Sequence, residues 1–145
     1  MGITYYIKPE HSLNILVHTG KITDDEFITF YRHLFENGSF KMSLNHLIDL
    51  RKSDSTLRSR EALQLFADIM QARVETLAIR PKVAIIAPVD LSFGLARMYE
   101  VFARSVRWDL AVFRSTDNAL AWLGLPLDLI DEHEEISSAE LNAIL

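Results

Sequence analysis

The chain of 145 residues contains no cysteine. This absence excludes a disulfide framework, a thiolate zinc site, an iron–sulfur cluster and a cysteine nucleophile within it. No apolar run approaches the roughly 20 residues that a membrane-spanning helix needs. The first residues also lack the basic-then-apolar pattern of a secretion signal. We therefore expect a cytoplasmic protein with no membrane span.

Strong catalytic motifs are missing as well. The five glycines form no phosphate-binding loop, and the sequence has neither a Gly-x-Ser-x-Gly nucleophile elbow nor a His-Glu-x-x-His zinc helix. His133 lies among four acidic residues that could attract a divalent cation weakly. Because metal sites need convergent ligands on a rigid frame, a solvated acidic turn is the favoured interpretation. We expect no catalytic residue, no metal and no cofactor, and thus not an enzyme.

Basic residues are confined to the first part of the chain. Residues 1–123 hold all 15 lysines and arginines with 14 acidic residues, whereas residues 124–145 hold six acidic residues and no basic one. A nucleic-acid surface needs positive charge clustered on one face, so this distribution argues against a nucleic-acid partner. We predict one domain over residues 1–123 and an acidic extension over residues 124–145. Ser137 and Glu140 form a capping box for a short terminal helix.

Hydrophobic periodicity predicts a hairpin followed by alternating helices and strands. Residues 3–8 and 13–19 are the two hairpin strands, joined by a turn that Pro9 begins. A capping box from Thr23 to Glu26 then starts a helix that ends at Asn37-Gly38. The later elements are a strand at residues 47–50, a helix from near Ser59, a strand at 83–87, a helix capped by Asp90 or Ser92, a strand at 108–113 and a helix from Ser115 or Thr116.

This order predicts an α/β fold with a mixed, mostly parallel sheet of about five strands. Right-handed crossovers place the crossover helices mainly on one face. The strand at residues 83–87 is nevertheless apolar at every position, which indicates that both faces are covered. The apolar residues at the end of the chain, Leu125, Leu127, Leu129 and Ile130, are one candidate cover. A second subunit is the other, and we expect a homodimer.

The first candidate site follows the strand at residues 47–50, because sites in parallel sheets collect at the carboxyl ends of strands. Residues 51–60 contain four basic residues and one acidic residue, beside a helix start whose free amides favour anions. This pattern predicts an anion site for a phosphate or an acidic partner segment. The alternative is a solvated loop whose hydroxyls cap the next helix, with Asp49 holding loop amides. The candidate residues are Asp49, Arg51, Ser53, Asp54, Ser55 and Arg58.

A second candidate segment, residues 88–99, is expected beside the first because both follow parallel strands. Its candidate residues are Asp90, Ser92, Gly94 and Arg97. A glycine inside a helix costs about 1 kcal/mol relative to alanine, so Gly94 indicates close approach of a packed neighbouring strand or of a ligand or partner. Arg97 either projects toward the same rim or pairs with Asp90 or Glu100.

Three features together resemble a known family. They are the hairpin followed by αβ units, Leu47-Ile48-Asp49-Leu50 before a polar loop, and a strand that leads into Phe93-Gly94-Leu95-Ala96-Arg97-Met98-Tyr99. Over roughly residues 3–123 the chain resembles the small bacterial SpoIIAA-like proteins, relatives of the STAS (anti-sigma-factor antagonist) domain. The resemblance implies a superhelix-type α/β fold and a regulatory or interaction module.

Well-understood relatives are switched by phosphorylation of a serine in an Asp-Ser-Ser-Gly motif. The nearest match in this chain, Asp54-Ser55-Thr56-Leu57, lacks the glycine of that motif. The resemblance implies that Ser55 is the counterpart of the phosphorylated serine.

Two functions from different classes remain open. The first is a non-enzymatic interaction module that binds a protein partner through residues 51–60 and 90–97. The second is binding of a small apolar ligand or lipid, in a pocket on the sheet or at a dimer interface, which the doubly apolar strand at residues 83–87 suggests. An enzyme is third, since Asp49, Asp90 and Arg97 could take part in acid–base chemistry.

Overall fold

The computed structural model describes residues 2–38 and 40–130. Five strands form one sheet in the order β1-β2-β3-β4-β5, in which β1 and β2 are antiparallel and the remaining neighbours are parallel. The strands are β1 (Gly2–Lys8), β2 (Leu13–Lys21), β3 (Asn45–Asp54), β4 (Lys82–Ile86) and β5 (Asp109–Phe113). The helices are α1 (Asp24–Glu36), α2 (Arg60–Val74), α3 (Asp90–Phe102) and α4 (Thr116–Leu123). The predicted hairpin and mostly parallel sheet are confirmed.

Local capping signals set three of the helix starts, and at α4 the Asn118 amide donates to Ser115 Oγ at 3.1 Å. At α1 the Glu26 amide donates to Thr23 Oγ1 and the Thr23 amide donates to Glu26 Oε1, both at 3.1 Å. At α2 the Ala62 amide donates to Ser59 Oγ at 3.0 Å. The predicted capping box and the start near Ser59 are therefore confirmed, because each signal lies within one turn of chain.

Both faces of the sheet are covered. Helices α1, α2 and α3 pack on one face, which includes Val83 and Ile85 of β4. Ala84 and Ile86 of the same strand belong to a second core on the opposite face, where α4 and Ile130 pack. This confirms the inference from residues 83–87 and identifies the C-terminal segment as a cover. The chain end contributes Leu125, Leu129 and Ile130, whereas Leu127 is 57% exposed.

Two local expectations are wrong. Strand β3 runs to Asp54 instead of ending at residue 50, because β2 continues alongside it and pairs Lys21 with Asp54. Arg51 and Ser53 therefore lie in a strand. Neither Asp90 nor Ser92 caps α3, whose N-cap is Val89 without a side-chain hydrogen bond.

Among residues 2–38 and 40–130, no helix is long and apolar enough to cross a membrane. The predicted terminal helix and the acidic cluster around His133 lie outside the described residues.

Candidate functional site

A bulge between β2 and β3 decides which side chains of β3 face the helices. Val17 pairs with Asp49 but Thr19 pairs with Lys52, so two residues of β3 lie opposite His18 alone. An extra residue of this kind redirects the side chains that follow it. Ile48 and Leu50 face α1, α2 and α3, and simple alternation would continue with Lys52. Because of the bulge, Ser53 faces the helices in place of Lys52. Ser55, which follows the strand, faces them as well.

These serines line a cavity at the carboxyl edge of the parallel strands, which we name the edge cavity. It lies between β2, β3 and β4 of the sheet and helices α1, α2 and α3. Its volume is about 70 Å³, well below the roughly 300–1,000 Å³ of pockets for drug-sized ligands, so it suits a small, compact molecule. Its lining residues are His18, Phe27, Tyr31, Ile48, Leu50, Ser53, Ser55, Arg58, Leu63, Phe66, Ile85, Ser92, Leu95, Ala96 and Tyr99.

The polar groups nearest the opening come from two segments far apart in sequence. Ser55 Oγ lies 2.8 Å from Ser92 Oγ, which joins the turn after β3 to the first turn of α3. Ser53 and Ser55 are half-buried, whereas Ser92 is buried. The prediction that the loops after two parallel strands lie side by side is confirmed by this contact.

Arg58 supplies the positive charge of the edge cavity. Its guanidinium donates to Asp24 Oδ1 at 2.8 Å and lies 4.0 Å from the centre of the Phe27 ring. Asp24 Oδ1 also accepts from the Ser59 amide at 3.1 Å. Because only 10% of the Arg58 side chain is exposed, these contacts hold the guanidinium in one position at the cavity wall.

The interior holds three buried polar side chains. His18 Nε2 lies 2.9 Å from the Tyr31 hydroxyl. The Tyr99 hydroxyl is buried and has no hydrogen-bond partner among the described residues. Native proteins rarely leave a buried polar group unpaired, and each exception calls for an explanation.

These interior groups are uncharged at neutral pH. The pKa of His18 is lowered to about 3, mainly by burial and also by the charge of Arg58, while the charge of Asp49 opposes both. Burial raises the pKa of Tyr31 against the opposing charge of Arg58. Burial also raises the pKa of Tyr99, with a contribution from Tyr31. The edge cavity therefore has a neutral interior, and the charge of Arg58 at its wall is paired with Asp24.

The structure brings four of the ten predicted site residues to the edge cavity: Ser53, Ser55, Arg58 and Ser92. Asp49 instead binds its near neighbour Arg51, accepting from the Arg51 amide at 3.0 Å and from both Nε and Nη2 of the guanidinium. By strand alternation Asp49 lies on the face opposite Ile48. The alternative in which Asp49 holds a local amide is thus confirmed.

The other predicted residues point away from the edge cavity. Asp54 caps the short 3₁₀ turn Ser55–Leu57 through the Thr56 amide and hydroxyl. Asp90 pairs with Arg114 at 2.7 Å. Arg97 pairs with Glu100 at 3.1 Å, which was one of its two alternatives.

Gly94 is exposed on α3, and a methyl group added to it would meet no described atom within 4 Å. The explanation by a tightly packed neighbouring strand is therefore wrong. Approach of a ligand or partner to this position stays a prediction.

Sequence analysis missed the interior groups His18, Tyr31 and Tyr99. A signal was present for the first, because the strand period of two puts His18 on the same face as the core residue Leu16. The helix period likewise places Tyr31 four residues after the buried Phe27. The three side chains come from β2, α1 and α3. No local sequence pattern predicts that these elements bring them together.

Among residues 2–38 and 40–130, no group of three or more histidine, aspartate or glutamate side chains is arranged to hold a metal ion. The edge cavity combines apolar walls with three buried polar side chains in its interior.

Comparisons with known proteins identify the fold. No protein-family model matches the chain, and no curated protein matches it either. Among solved structures, it is similar to an uncharacterized protein from the DUF3478 family of Shewanella loihica PV-4, whose crystal structure is described as having a SpoIIAA-like fold. The identity is 21%, the TM-score is 0.56, and the match covers 84% of this chain and 94% of that one. The chain therefore has a SpoIIAA-like fold, as its sequence resemblance implied.

Proposed function

We propose that this protein is a non-catalytic binding module that takes a small, mainly apolar molecule into the edge cavity. The observation that carries the proposal is the cavity itself, at the carboxyl edge where parallel α/β sheets place their ligands. Eight of its fifteen lining residues are apolar, namely Phe27, Ile48, Leu50, Leu63, Phe66, Ile85, Leu95 and Ala96. This gives preference to the second of the two functions that the sequence left open.

Packing energetics support the proposal. Protein interiors are close-packed, and an empty apolar cavity costs the contacts that its walls do not make. A molecule with an apolar body recovers those contacts and is removed from water at the same time. The serines at the opening and Arg58 give a polar end of the ligand hydrogen-bond partners without requiring charge in the interior.

A fragment titration tests ligand binding directly. Phenol added to isotope-labelled protein should shift the amide resonances of Ser53, Ser92 and Ala96 at millimolar concentration. Ala96→Leu fills the cavity and should abolish these shifts. Ala121→Leu makes the same change at an exposed position of α4 and should leave them intact. Wild-type protein without shifts, or equal binding by Ala96→Leu, contradicts the proposal.

Native mass spectrometry of freshly purified protein complements the titration. A retained small molecule in wild type that Ala96→Leu lacks identifies the natural ligand. A retained molecule present equally in both proteins argues against the edge cavity as its site.

A second candidate function is a regulatory interaction with a protein partner, and the bond between Ser55 and Ser92 favours it. A phosphate on Ser55 adds nearly two negative charges and the bulk of a phosphoryl group at the contact with Ser92. Ser55→Asp should therefore separate the two loops, whereas Ser55→Ala removes the bond without adding charge. Hydrogen exchange at residues 55–58 and 90–94 should rise more in Ser55→Asp. Equal exchange in the two variants counts against a switch at this serine.

The interaction itself is tested with the same variants as bait in the native cell. Recovery of a partner by wild type and its loss with Ser55→Asp but not with Ser55→Ala supports the switch. Identical recovery by all three proteins removes the surface at residues 51–60 and 90–97 from consideration.

A further inference from the structure

The Tyr99 hydroxyl is the unpaired group of the edge cavity. The side chain lines the cavity, and the residue is only 4% exposed. Its oxygen is buried and has no hydrogen-bond partner within the described chain. A buried hydroxyl left unpaired costs about 1–3 kcal/mol, so its presence in place of phenylalanine points to a partner that binds from outside the protein.

Four polar side chains of the edge cavity bond one another in two pairs. The Tyr31 hydroxyl bonds His18 at 2.9 Å, and Ser92 Oγ lies 2.8 Å from Ser55 Oγ. A second, smaller cavity also borders Tyr99 and is lined in part by His46.

His46 offers Tyr99 no free nitrogen. Its Nε2 lies 3.0 Å from the Met42 carbonyl oxygen and its Nδ1 lies 3.4 Å from Asn14 Nδ2. No described side chain of either cavity forms a hydrogen bond to the Tyr99 hydroxyl, and a guest in the edge cavity can supply the missing group.

Electrostatics restrict what that guest carries at its buried end. The two interior tyrosines and His18 are neutral at pH 7, and no aspartate or glutamate lines the described part of the edge cavity. An ionised group placed there loses its hydration without a counter-charge. A negative group is better placed beside Arg58, where serine hydroxyls also lie.

We propose that Tyr99 is a specificity-determining residue that hydrogen-bonds a neutral oxygen, a hydroxyl or a carbonyl, at the buried end of the ligand. The inference rests on the proposed binding function and names the ligand class: a compact, mainly apolar molecule with one neutral oxygen inside. Any anionic group of the ligand lies at the opening beside Arg58.

Phenol and toluene test the inference because they share a ring and differ by a hydroxyl against a methyl group of similar size. The ratio of their affinities is measured by titration in wild type and in Tyr99→Phe. We expect the preference for phenol relative to toluene to fall about tenfold in Tyr99→Phe, the factor for one lost hydrogen bond. Tyr5→Phe is the matched control, because its hydroxyl bonds Asn14 outside the edge cavity, and it should retain the wild-type ratio.

Two results would overturn the inference. An unchanged ratio in Tyr99→Phe means that the hydroxyl does not contact the guest and is satisfied by water. A lower melting temperature of ligand-free Tyr99→Phe means that the hydroxyl has a partner inside the protein; we expect an equal or higher one. Binding of both probes with an unchanged ratio rejects the role of Tyr99 alone, whereas binding of neither probe by wild type rejects the edge cavity as a ligand site.

Discussion

Ser55 and Ser92 are 37 residues apart in sequence, and their hydroxyl oxygens lie 2.8 Å apart. The bond joins the 3₁₀ turn after β3 to the first turn of α3. The two residues differ in burial, since Ser92 is 2% exposed and Ser55 is half-buried. Because of this difference, removal of one hydroxyl should change the stability of the protein by a different amount than removal of the other.

Ser55→Ala should destabilise the protein more than Ser92→Ala. Removal of the Ser55 hydroxyl leaves a buried hydroxyl on Ser92 without this partner, at a cost of about 1–3 kcal/mol. Removal of the Ser92 hydroxyl leaves Ser55, which reaches water, and costs about 0.5–1.5 kcal/mol. Urea unfolding of both single variants and the double variant measures these values. A double variant whose loss equals the sum of the single losses would show that the two hydroxyls are not coupled.

Gly94→Ala should stabilise the protein. Gly94 lies inside α3, where an added methyl group meets no described atom within 4 Å. Alanine is favoured over glycine in a helix by about 0.5–1 kcal/mol, which raises the melting temperature by roughly 2–4 °C in a chain of this size. Gly124→Ala is the opposite case, because Gly124 ends α4 with a φ of 72°. It should lower the melting temperature. A loss of stability in Gly94→Ala would indicate that the backbone at this position is needed close to another group.

The parts of the fold that sequence predicts are those set by nearby residues. The capping box joins Thr23 and Glu26 within one turn, and the apolar run at residues 83–87 reports burial on two faces without reference to any partner. For strands that add in chain order, the handedness of the crossovers then places the crossover helices on one face of the sheet. For this reason the sheet and its covered second face could be predicted.

The interior of the candidate site could not be predicted, because pairing between strands sets it. The bulge opposite His18 depends on how β2 and β3 align, and it places Ser53 on the side of the helices. The approach of Tyr99 to Tyr31 depends on α2, whose Phe66 ring contacts both tyrosine rings. Sequence analysis pointed to the edge of the sheet at which the edge cavity lies, but it placed Arg51 on the rim, whereas Arg51 lies in β3 and binds Asp49.

The C-terminal cover of the sheet should contribute measurably to stability. Ile130 is 7% exposed and packs in the core formed with Ala84 and Ile86. Ile130→Ala removes buried apolar atoms and should cost about 2–4 kcal/mol. Leu127→Ala is the matched control at a 57% exposed position of the same segment and should change stability by less than about 0.5 kcal/mol. Similar melting temperatures for both variants would mean that the segment does not hold the second face.

Stability should fall as the pH is lowered below about 6.5, because two buried histidines resist protonation in the folded state. Burial lowers the pKa of His18 to about 3, with the charge of Arg58 adding to the effect, and burial lowers the pKa of His46 to about 4. In the unfolded chain both titrate near 6.5, so between about pH 6 and 4 the unfolded state binds more protons than the folded state. The stability that the two neutral histidines contribute is fully present above about pH 6.5. It is lost as the pH falls toward about 4 for His46 and toward about 3 for His18.

Each histidine contributes a slope of up to about 1.4 kcal/mol per pH unit in that window. Urea unfolding measured at pH 4.5 to 7.5 should therefore give a shallower pH dependence for His18→Gln and for His46→Gln than for wild type. His33→Gln, at an exposed position of α1, is the matched control and should retain the wild-type slope. Burial raises the pKa of the Asp24 carboxyl, but its hydrogen bonds to Ser59 and Arg58 outweigh burial and lower the pKa. The stability that ionised Asp24 contributes is therefore lost below about pH 4, outside this window. A flat wild-type curve from pH 6.5 to 4.5 would mean that the histidines take up protons without unfolding, and hence that their surroundings admit water.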